Sequence, residues 1–152
     1  MRIIYSPEKV IPEGKEKIVF LAGSIENGVA EDWQAMLAEQ LDVPNLILLN
    51  PRRKIWDATW KQSIENQLFA EQVNWELEGL EMADLVVMNF SPLTLSPISL
   101  LEFGLYARSG KMIVCCPEGF WRKGNIDVTC QRYQIKQVAT LADLASEILA
   151  IV

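Results

Sequence analysis

Short apolar runs alternate along the chain with longer stretches of helical periodicity. Strands are predicted at Lys17 to Ala22, Leu46 to Leu49, Asp84 to Phe90 and Lys111 to Cys116, with residues 134–138 as a candidate edge strand. Helices are predicted at Glu31 to Leu41, Gln62 to Met82, Pro97 to Arg108 and Thr140 to Ile151. Strands separated by helices pair in parallel through right-handed crossovers. The pattern therefore predicts an α/β fold, a doubly wound parallel sheet of about five strands with helices on both faces.

The chain has 152 residues, half of them hydrophobic, which fits a single domain over residues 1–152. Residues 1–15 contain Pro, Glu and Lys and look like an appended N-terminal arm. No apolar run reaches the roughly 18 residues of a membrane span, and the N-terminus lacks a signal-like apolar core. We therefore expect a cytoplasmic protein with no membrane partner.

Charge and composition exclude several kinds of chemistry. A net charge of −6 with scattered basic residues disfavours nucleic acid as a partner and favours a small molecule. The absence of histidine excludes Ser-His-Asp and Cys-His catalysis and His-ligated zinc. Cys115, Cys116 and Cys130 form no C-x-x-C pair and are expected to be reduced core residues. We expect neither a metal nor a cofactor, and acid–base work falls to carboxylates, Lys, Tyr or Cys.

Glu102 is the only charged residue in the apolar helical segment from Ser96 to Ala107. Burying an unpaired charge costs several kcal/mol, so this carboxylate must be desolvated, paired or used in chemistry. Ser99 and Glu102 fit a capping box, in which the glutamate would serve only the helix start. Ser96 and Pro97 make a better start, because Ser caps helices and Pro is favoured at the first helical position. Glu102 then lies more than one turn inside the helix, which favours a functional role.

Glu76 is the second candidate. On a helical wheel of the segment from Gln62 to Met82, it falls in the middle of an apolar face formed by Phe69, Val73, Leu77 and Leu80. It is either a carboxylate paired with Lys or Arg at the rim of the sheet, or a functional group near the strand that follows. Two carboxylates at one crevice, without histidine or a metal motif, suit glycosyl transfer. One would attack the anomeric carbon and the other would manage the proton of the leaving group.

Loops at the carboxyl ends of the strands supply further candidates, since ligands of such sheets bind there. In the motif Gly23 to Gly28, Gly23 permits close backbone approach and Ser24 can bond a ligand hydroxyl, unless the motif is only a strand-to-helix turn. Arg52 and Arg53 either clamp an anion or pair with surface carboxylates. Trp56 and Trp60 either offer flat faces to a base or serve packing.

These pieces together resemble the nucleoside 2-deoxyribosyltransferase family, particularly its transferase-like branch. The matching segments cover nearly the whole chain beyond the arm, and they are "FLAGSI" (Phe20 to Ile25), "NPRR" (Asn50 to Arg53), "EQVNWELEGLEMADLVVM" (Glu71 to Met88), "SPISLLEFGLYA" (Ser96 to Ala107) and "CCPEGFWRKGNID" (Cys115 to Asp127). The resemblance implies a flavodoxin-like fold and a covalent, retaining, double-displacement mechanism.

The same resemblance implies residue roles. Glu102, followed by Phe103 and Gly104, matches the nucleophile of the family, and Glu76 matches its base-binding acid, eight residues before Asp84. Phe20 takes the place of the aromatic residue of the first-strand motif. Asn125 is the nearest match to an asparagine that completes the site of a neighbouring subunit, which implies a homo-oligomer built from dimers.

Three positions depart from the family pattern. Ser96 stands where the transferases carry a sugar-binding Asp, and Ser24 replaces a Pro. Glu26 replaces an Arg of the related deoxynucleoside 5'-monophosphate N-glycosidases, where it would repel a 5'-phosphate. We expect cleavage of the N-glycosidic bond of a 2'-deoxynucleoside with transfer of the sugar to another nucleobase. The alternatives are hydrolysis of a deoxynucleoside or deoxynucleotide, and a non-catalytic nucleotide-binding module.

Overall fold

The computed structural model describes residues 1–26 and 30–152. Six parallel strands form one sheet in the order β1-β3-β2-β4-β5-β6. The strands are β1 (Arg2–Tyr5), β2 (Lys17–Gly23), β3 (Leu46–Asn50), β4 (Leu85–Asn89), β5 (Met112–Cys115) and β6 (Lys136–Val138). The α-helices in the described part of the chain are α1 (Trp33–Ala38), α2 (Gln67–Met82), α3 (Pro97–Tyr106), α4 (Lys123–Tyr133) and α5 (Leu141–Leu149).

The core forms two layers because successive side chains of a strand point to opposite faces of the sheet. In β2, Phe20 and Ala22 join a cluster with residues of α2, α3 and α4. Val19 and Leu21 join a second cluster with residues of α1 and α5. From β3 onward the order β3-β2-β4-β5-β6 is that of a flavodoxin-like sheet. The predicted α/β fold with helices on both faces is confirmed.

Strand β1, the strand beyond the five predicted, corrects the prediction of an appended arm at residues 1–15. Residues Arg2 to Tyr5 pair with Ile47 to Asn50 at one edge of the sheet. Arg2 also binds Glu16, with 2.9 Å between Nε and Oε1, which ties down the segment after the strand. An apolar run as short as Ile3 to Tyr5 predicts little by itself, and only its partner β3, distant along the chain, makes it a strand.

Helix α4 is a second difference, because the sequence pattern predicts no helix between the strand that ends at Cys116 and the candidate edge strand at residues 134–138. Only Ile126 and Cys130 of this helix are buried. Two apolar positions one turn apart give too narrow an apolar face to predict a helix from the sequence.

Helix α2 is rotated relative to the predicted wheel, and it begins at Gln67 instead of Gln62. Its buried residues are Gln72, Trp75, Gly79 and Leu80, whereas Phe69, Val73 and Leu77 are only partly buried. Gly79 explains the rotation, since a Cβ atom there would lie 2.7 Å from the ring of Phe20. The helix approaches the sheet through its smallest residue, and Glu76 lies beside that contact face.

Candidate active site

A cavity of about 490 Å³ opens at the carboxyl ends of β2 and β3. Its wall combines the loops after these strands with the middle of α2 and the first half of α3. Glu76 and Glu102 both line it, together with Gly23, Arg52 and Ser96. The volume lies within the range of small-molecule sites, about 300–1,000 Å³. The fold therefore brings the two carboxyl groups, predicted separately from the sequence, to one ligand-sized space.

Glu102 lies in α3, whose buried residues are Ser99, Glu102 and Phe103. Phe103 packs in the core, so its neighbour Glu102 is held at the cavity wall and is only 8% exposed. Burial raises the pKa of Glu102 to about 8, and the nearby charge of Glu76 adds to the increase. Ser96 is the residue before the helix and Pro97 opens it, as predicted, but the Ser96 side chain makes no capping bond; Glu102 lies more than one turn inside the helix.

Glu76 is partly buried in α2. Burial raises its pKa to about 7, against the opposing effect of a hydrogen bond from Gln72. The distance from Gln72 Nε2 to Glu76 Oε1 is 2.8 Å. Among the salt bridges of residues 1–26 and 30–152 there is none to Glu76, so nothing described supports the alternative of an ion pair at the sheet rim.

The two carboxyl groups form a coupled acid pair. Each would ionise near pH 4.5 in water, but burial raises both pKa values to near or above neutrality, and the charge of Glu76 adds to the increase at Glu102. Such a pair releases its protons in two steps that belong to the pair as a whole. Near neutral pH the pair is only partly ionised, so it offers both an acid and a carboxylate to a bound molecule.

Gly23 ends β2 at the cavity wall with a φ of 137°, a conformation that favours glycine. A Cβ atom there would overlap the carbonyl oxygen of Asn89 in the neighbouring strand. Gly23 therefore lets β2 and β4 lie close together where their loops diverge. Asn27 and Gly28, the last residues of the motif that begins at Gly23, lie outside the described residues.

Ser24 does not line the cavity; its side chain is fully buried. Its Oγ atom lies 2.6 Å from Ser96 Oγ and 2.9 Å from Thr94 Oγ1, and it accepts the backbone N–H of Ser91. Ser96 does line the cavity, in a left-handed conformation with φ 47°. Ser24 therefore supports the Ser96 loop, and a ligand in this cavity would meet Ser96 instead.

Glu26 binds the backbone at the start of α3. The Ser96 side chain makes no capping bond to α3, whereas the Ser96 N–H donates to Glu26 Oε1 at 2.6 Å. An anion is stabilised at a helix N-terminus by the free N–H groups and the helix dipole. Here the carboxylate of the protein itself occupies that position at the edge of the cavity.

The two arginines after β3 are largely engaged within the protein. Arg52 binds Gln34 Oε1 at 2.8 Å, Asp32 Oδ1 at 3.2 Å and the carbonyl oxygens of residues 30 and 31. Arg53 binds Glu71 at 2.8 Å and lies over the ring of Trp60. Both line the cavity, but their guanidinium groups are already paired. The alternative of pairing with carboxylates is thus observed for both.

Of the two aromatic candidates, Trp56 lies at the cavity wall and Phe20 lies in the core. Trp56 lines the cavity, packs against Trp60 with 5.1 Å between ring centroids, and its buried Nε1 atom has no partner among the described residues. Phe20 is fully buried against Gly79 and Trp75 and is absent from the cavity wall. Phe20 is thus not placed to contact a ligand in this cavity, and its contact with substrate stays a prediction. The family pattern identified its position, but in this chain that side chain is enclosed by α2.

Asn125 is exposed on α4 and does not line the cavity of its own chain. The lining residues that were not predicted include Tyr5, Gln72 and Ser99. Gln72 could have been found from its position four residues before Glu76 on the same helix, a spacing at which side chains meet. Tyr5 could not, because it belongs to the strand mistaken for an arm.

A parallel sheet with two buried carboxyl groups in a cavity at its carboxyl edge defines a protein that acts on or binds a small molecule. The family model described as "nucleoside 2-deoxyribosyltransferase like" matches residues 16–120, more than half of the chain. The chain belongs to this family, which supports a role in nucleoside processing.

Among solved structures, the chain is similar to a conserved protein from Enterococcus faecalis V583, with a TM-score of 0.64 and 17% sequence identity. The alignment covers 90% of this chain and 99% of the other. At this identity the likeness concerns the fold alone. None of the curated proteins compared with the chain matches it significantly.

Two further findings concern the described residues only. None of their helices has the length and apolar character needed to cross a membrane. Their His, Cys, Asp and Glu side chains form no group of three or more that could hold a metal ion.

Proposed function

We propose that the protein cleaves the N-glycosidic bond of 2'-deoxynucleosides and transfers the deoxyribosyl group to another nucleobase. The observation that carries this proposal is the coupled pair of Glu76 and Glu102 in one cavity. Membership of the family supports a nucleoside as the substrate. The pair supplies the two functions that glycosyl transfer needs, a nucleophile and a proton donor.

In the first half-reaction, a carboxylate oxygen of Glu102 bonds to C1' as the C1'–N bond breaks. The bonding electrons go to the base nitrogen, and the Glu76 carboxyl group gives its proton to a ring nitrogen of the base. In the second half-reaction, a nitrogen of the incoming base attacks C1', Glu102 leaves as a carboxylate, and Glu76 takes up the proton. No cofactor is needed for either step.

Without substrate, the proton is favoured on Glu102 rather than on Glu76, because Gln72 stabilises the ionised form of Glu76. Bound substrate must reverse this distribution, so that Glu76 is protonated and Glu102 is ionised. A ring nitrogen with a lone pair at Glu76 favours the protonated acid there, and the positive charge that develops at C1' favours ionised Glu102. Binding and bond breaking thus move the proton from one carboxyl group to the other, which suits a group that must alternate between acid and base.

We further propose that the substrate carries no 5'-phosphate. Glu26 occupies the anion-binding N-terminus of α3, and both arginines near the cavity are paired. A phosphate there would meet a carboxylate in a poorly screened crevice.

A dimer of this chain is part of the proposal. Ile98, Leu101 and Leu105 expose more than half of their surface along α3, and Ile98 also lines the cavity. A second copy packed on this strip would cover apolar surface and close the cavity. Asn125 would then reach the site of the partner, and the protein would act in the cytoplasm as an oligomer built from dimers.

Incubation of the protein with one deoxynucleoside and a different free base tests the function. The proposal predicts that the exchanged nucleoside appears in chromatography. Free base and deoxyribose without exchange would identify a hydrolase, and no turnover of any tested substrate would indicate a binding module. Glu78→Gln is the matched control for loss of a carboxylate, because Glu78 is exposed on the same helix as Glu76.

A further inference from the structure

Gln72 has every polar atom of its side chain engaged, although it is only 4% exposed. The hydroxyl group of Ser6 donates to Gln72 Oε1 at 2.6 Å. Gln72 Nε2 donates to the carbonyl oxygen of Pro51 at 2.9 Å and to Glu76 Oε1 at 2.8 Å. Every one of these bonds is long-range in the sequence except the last, so the amide is built into the site by the tertiary fold.

The bonding partners allow one orientation of this amide. The Pro51 carbonyl can only accept a hydrogen bond, so the nitrogen of Gln72 must face it. A flipped amide would place its oxygen against both the Pro51 oxygen and Glu76. The second proton of Nε2 is therefore aimed at one oxygen of the Glu76 carboxyl group.

The anchors of Gln72 come from the two strands at one edge of the sheet. Ser6 follows β1, and its own N–H donates to Asn50 O at 3.2 Å. Pro51 follows β3. The pairing of β1 with β3 thus brings the Ser6 hydroxyl to α2, and the edge strand contributes to the site although it lies outside the segment that matches the family.

We propose that Gln72 is a positioning residue for Glu76, and that Ser6 holds Gln72 in the required orientation. Gln72 binds Oε1 of Glu76 and leaves Oε2 as the oxygen that exchanges a proton with the base. The catalytic part of this inference rests on the proposed transfer reaction, whereas the positioning of Glu76 by Gln72 does not depend on that reaction.

The hydrogen bond also keeps Glu76 able to work in both directions. A donor to the ionised carboxylate lowers its pKa, which opposes the effect of burial. The acid must give a proton in the first half-reaction and take one in the second, and both are fastest when its pKa lies near the working pH. Without Gln72, Glu76 would stay protonated and the second half-reaction would slow.

Other charges around Glu76 must be held constant in a test. Besides Glu102, the ionisable groups on the cavity wall are Tyr5, Glu26, Asp32, Arg52, Arg53 and Lys54. The Glu102→Gln variant removes the carboxyl group that is coupled to Glu76 and leaves Glu76 as the one member of the pair that titrates. Gln72→Met then removes the amide while keeping the length of the side chain.

The experiment is a ¹³C NMR titration of the Glu76 carboxyl carbon in Glu102→Gln, with and without Gln72→Met. The Glu76 signal is assigned by its loss in Glu76→Gln. A charge-assisted hydrogen bond of this kind shifts a titration midpoint by about 1 pH unit, so the midpoint should rise by that amount in Gln72→Met. Gln67→Met, at an exposed position of the same helix, should leave the midpoint unchanged. An unchanged midpoint in Gln72→Met would overturn the inference.

Ser6→Ala decides the matter if Gln72→Met does not fold. It leaves α2 intact and removes one anchor of the amide, so the Glu76 midpoint should rise by a smaller amount, and no rise would also overturn the inference. In the exchange assay, Gln72→Met alone should shift the pH profile of kcat/KM toward higher pH. If the parent exchanges no base while the NMR midpoint moves as expected, the proposed function fails and the hold of Gln72 on Glu76 stands.

Discussion

The helices α2 and α3 each present one carboxyl group to the same cavity, but in different surroundings. On α2, Gln72 donates to Glu76 and is itself bound by Ser6 and Pro51. On α3, the hydrogen bonds of the described residues include none to the carboxyl group of Glu102, which follows Leu100 and Leu101 and precedes Phe103. The pKa is raised more at Glu102 than at Glu76. Burial raises both pKa values; the donor from Gln72 then lowers that of Glu76, and the charge of Glu76 raises that of Glu102 further.

This difference supports the two proposed roles. A carboxylate without hydrogen-bond donors is poorly stabilised and readily forms a covalent bond, which suits a nucleophile. A carboxylate held by one donor keeps a fixed orientation and a pKa near neutrality, which suits an acid–base group. Removing each group in turn tests this comparison.

Glu102→Gln should have the largest effect. The amide keeps the shape of the side chain but cannot attack C1', so kcat should fall by more than ~10³-fold while the protein still folds. Steady-state assays of base exchange measure this. Activity within about tenfold of the parent, a barrier change of only ~1.4 kcal/mol, would exclude Glu102 as the nucleophile.

A direct check uses a 2-fluoro-substituted nucleoside, which slows release of the sugar. Mass spectrometry of the parent protein should then find the sugar attached to Glu102, and Glu102→Gln should carry none. An unmodified parent that still turns over substrate would contradict the covalent mechanism.

Glu76→Gln should lower kcat by ~10²–10⁴-fold, the usual contribution of a general acid or base. The amide oxygen can still accept the bond from Gln72, and the cost of burying a charge is removed, so the melting temperature should hold or rise. Glu78→Gln should change neither quantity. A Glu76→Gln variant that unfolds, with unchanged activity per folded molecule, would make Glu76 a structural residue.

The pair should also impose a pH dependence on stability. Both folded pKa values lie above the unfolded value of 4.5, so the folded protein binds more protons between about pH 4.5 and pH 8. The contribution of the pair to stability is therefore full below pH 4.5 and is lost as the pH rises through the folded pKa values, by about 7 to 8.

Urea unfolding of the parent and of the double variant Glu76→Gln/Glu102→Gln measures this contribution. The variant should become more stable relative to the parent as the pH rises from 5 to 8, because the parent loses the contribution of its two raised pKa values over this range. A difference between the two proteins that stays constant over this range would mean that the carboxyl groups ionise normally in the folded state.

The smallest effect should come from Glu26, which lies at the cavity edge away from the reacting pair. The parent should prefer a deoxynucleoside to its 5'-monophosphate, and Glu26→Arg should shift the ratio of the two kcat/KM values toward the monophosphate by about tenfold. Glu39→Gln, an exposed position beyond α1, controls for net charge. A parent that clearly prefers the monophosphate would refute the role of Glu26, and an unchanged ratio would mean that this loop does not face the 5' end.

The sequence was most informative where local pattern and chemistry coincide. Glu102 stood out because a charge in an apolar helix is unusual, and the cap at Ser96 and Pro97 placed it correctly within α3. The wheel of α2 was less informative, because Gly79 decides which face meets the sheet through its contact with Phe20. An apolar pattern cannot detect this effect, because glycine has no side chain that would add to an apolar face.

By itself, the sequence determined the parallel α/β order and the presence of a carboxylate that had to be desolvated, since both follow from which residue types are neighbours along the chain. Only the tertiary structure decided that Phe20 is enclosed in the core, that Ser6 reaches Gln72, and that Glu26 binds the N–H of Ser96 at the start of α3. The physical reason is that burial and hydrogen bonding depend on groups distant in the sequence. Ser6 and Gln72, 66 residues apart, meet only because β1 pairs with β3 at the edge of the sheet.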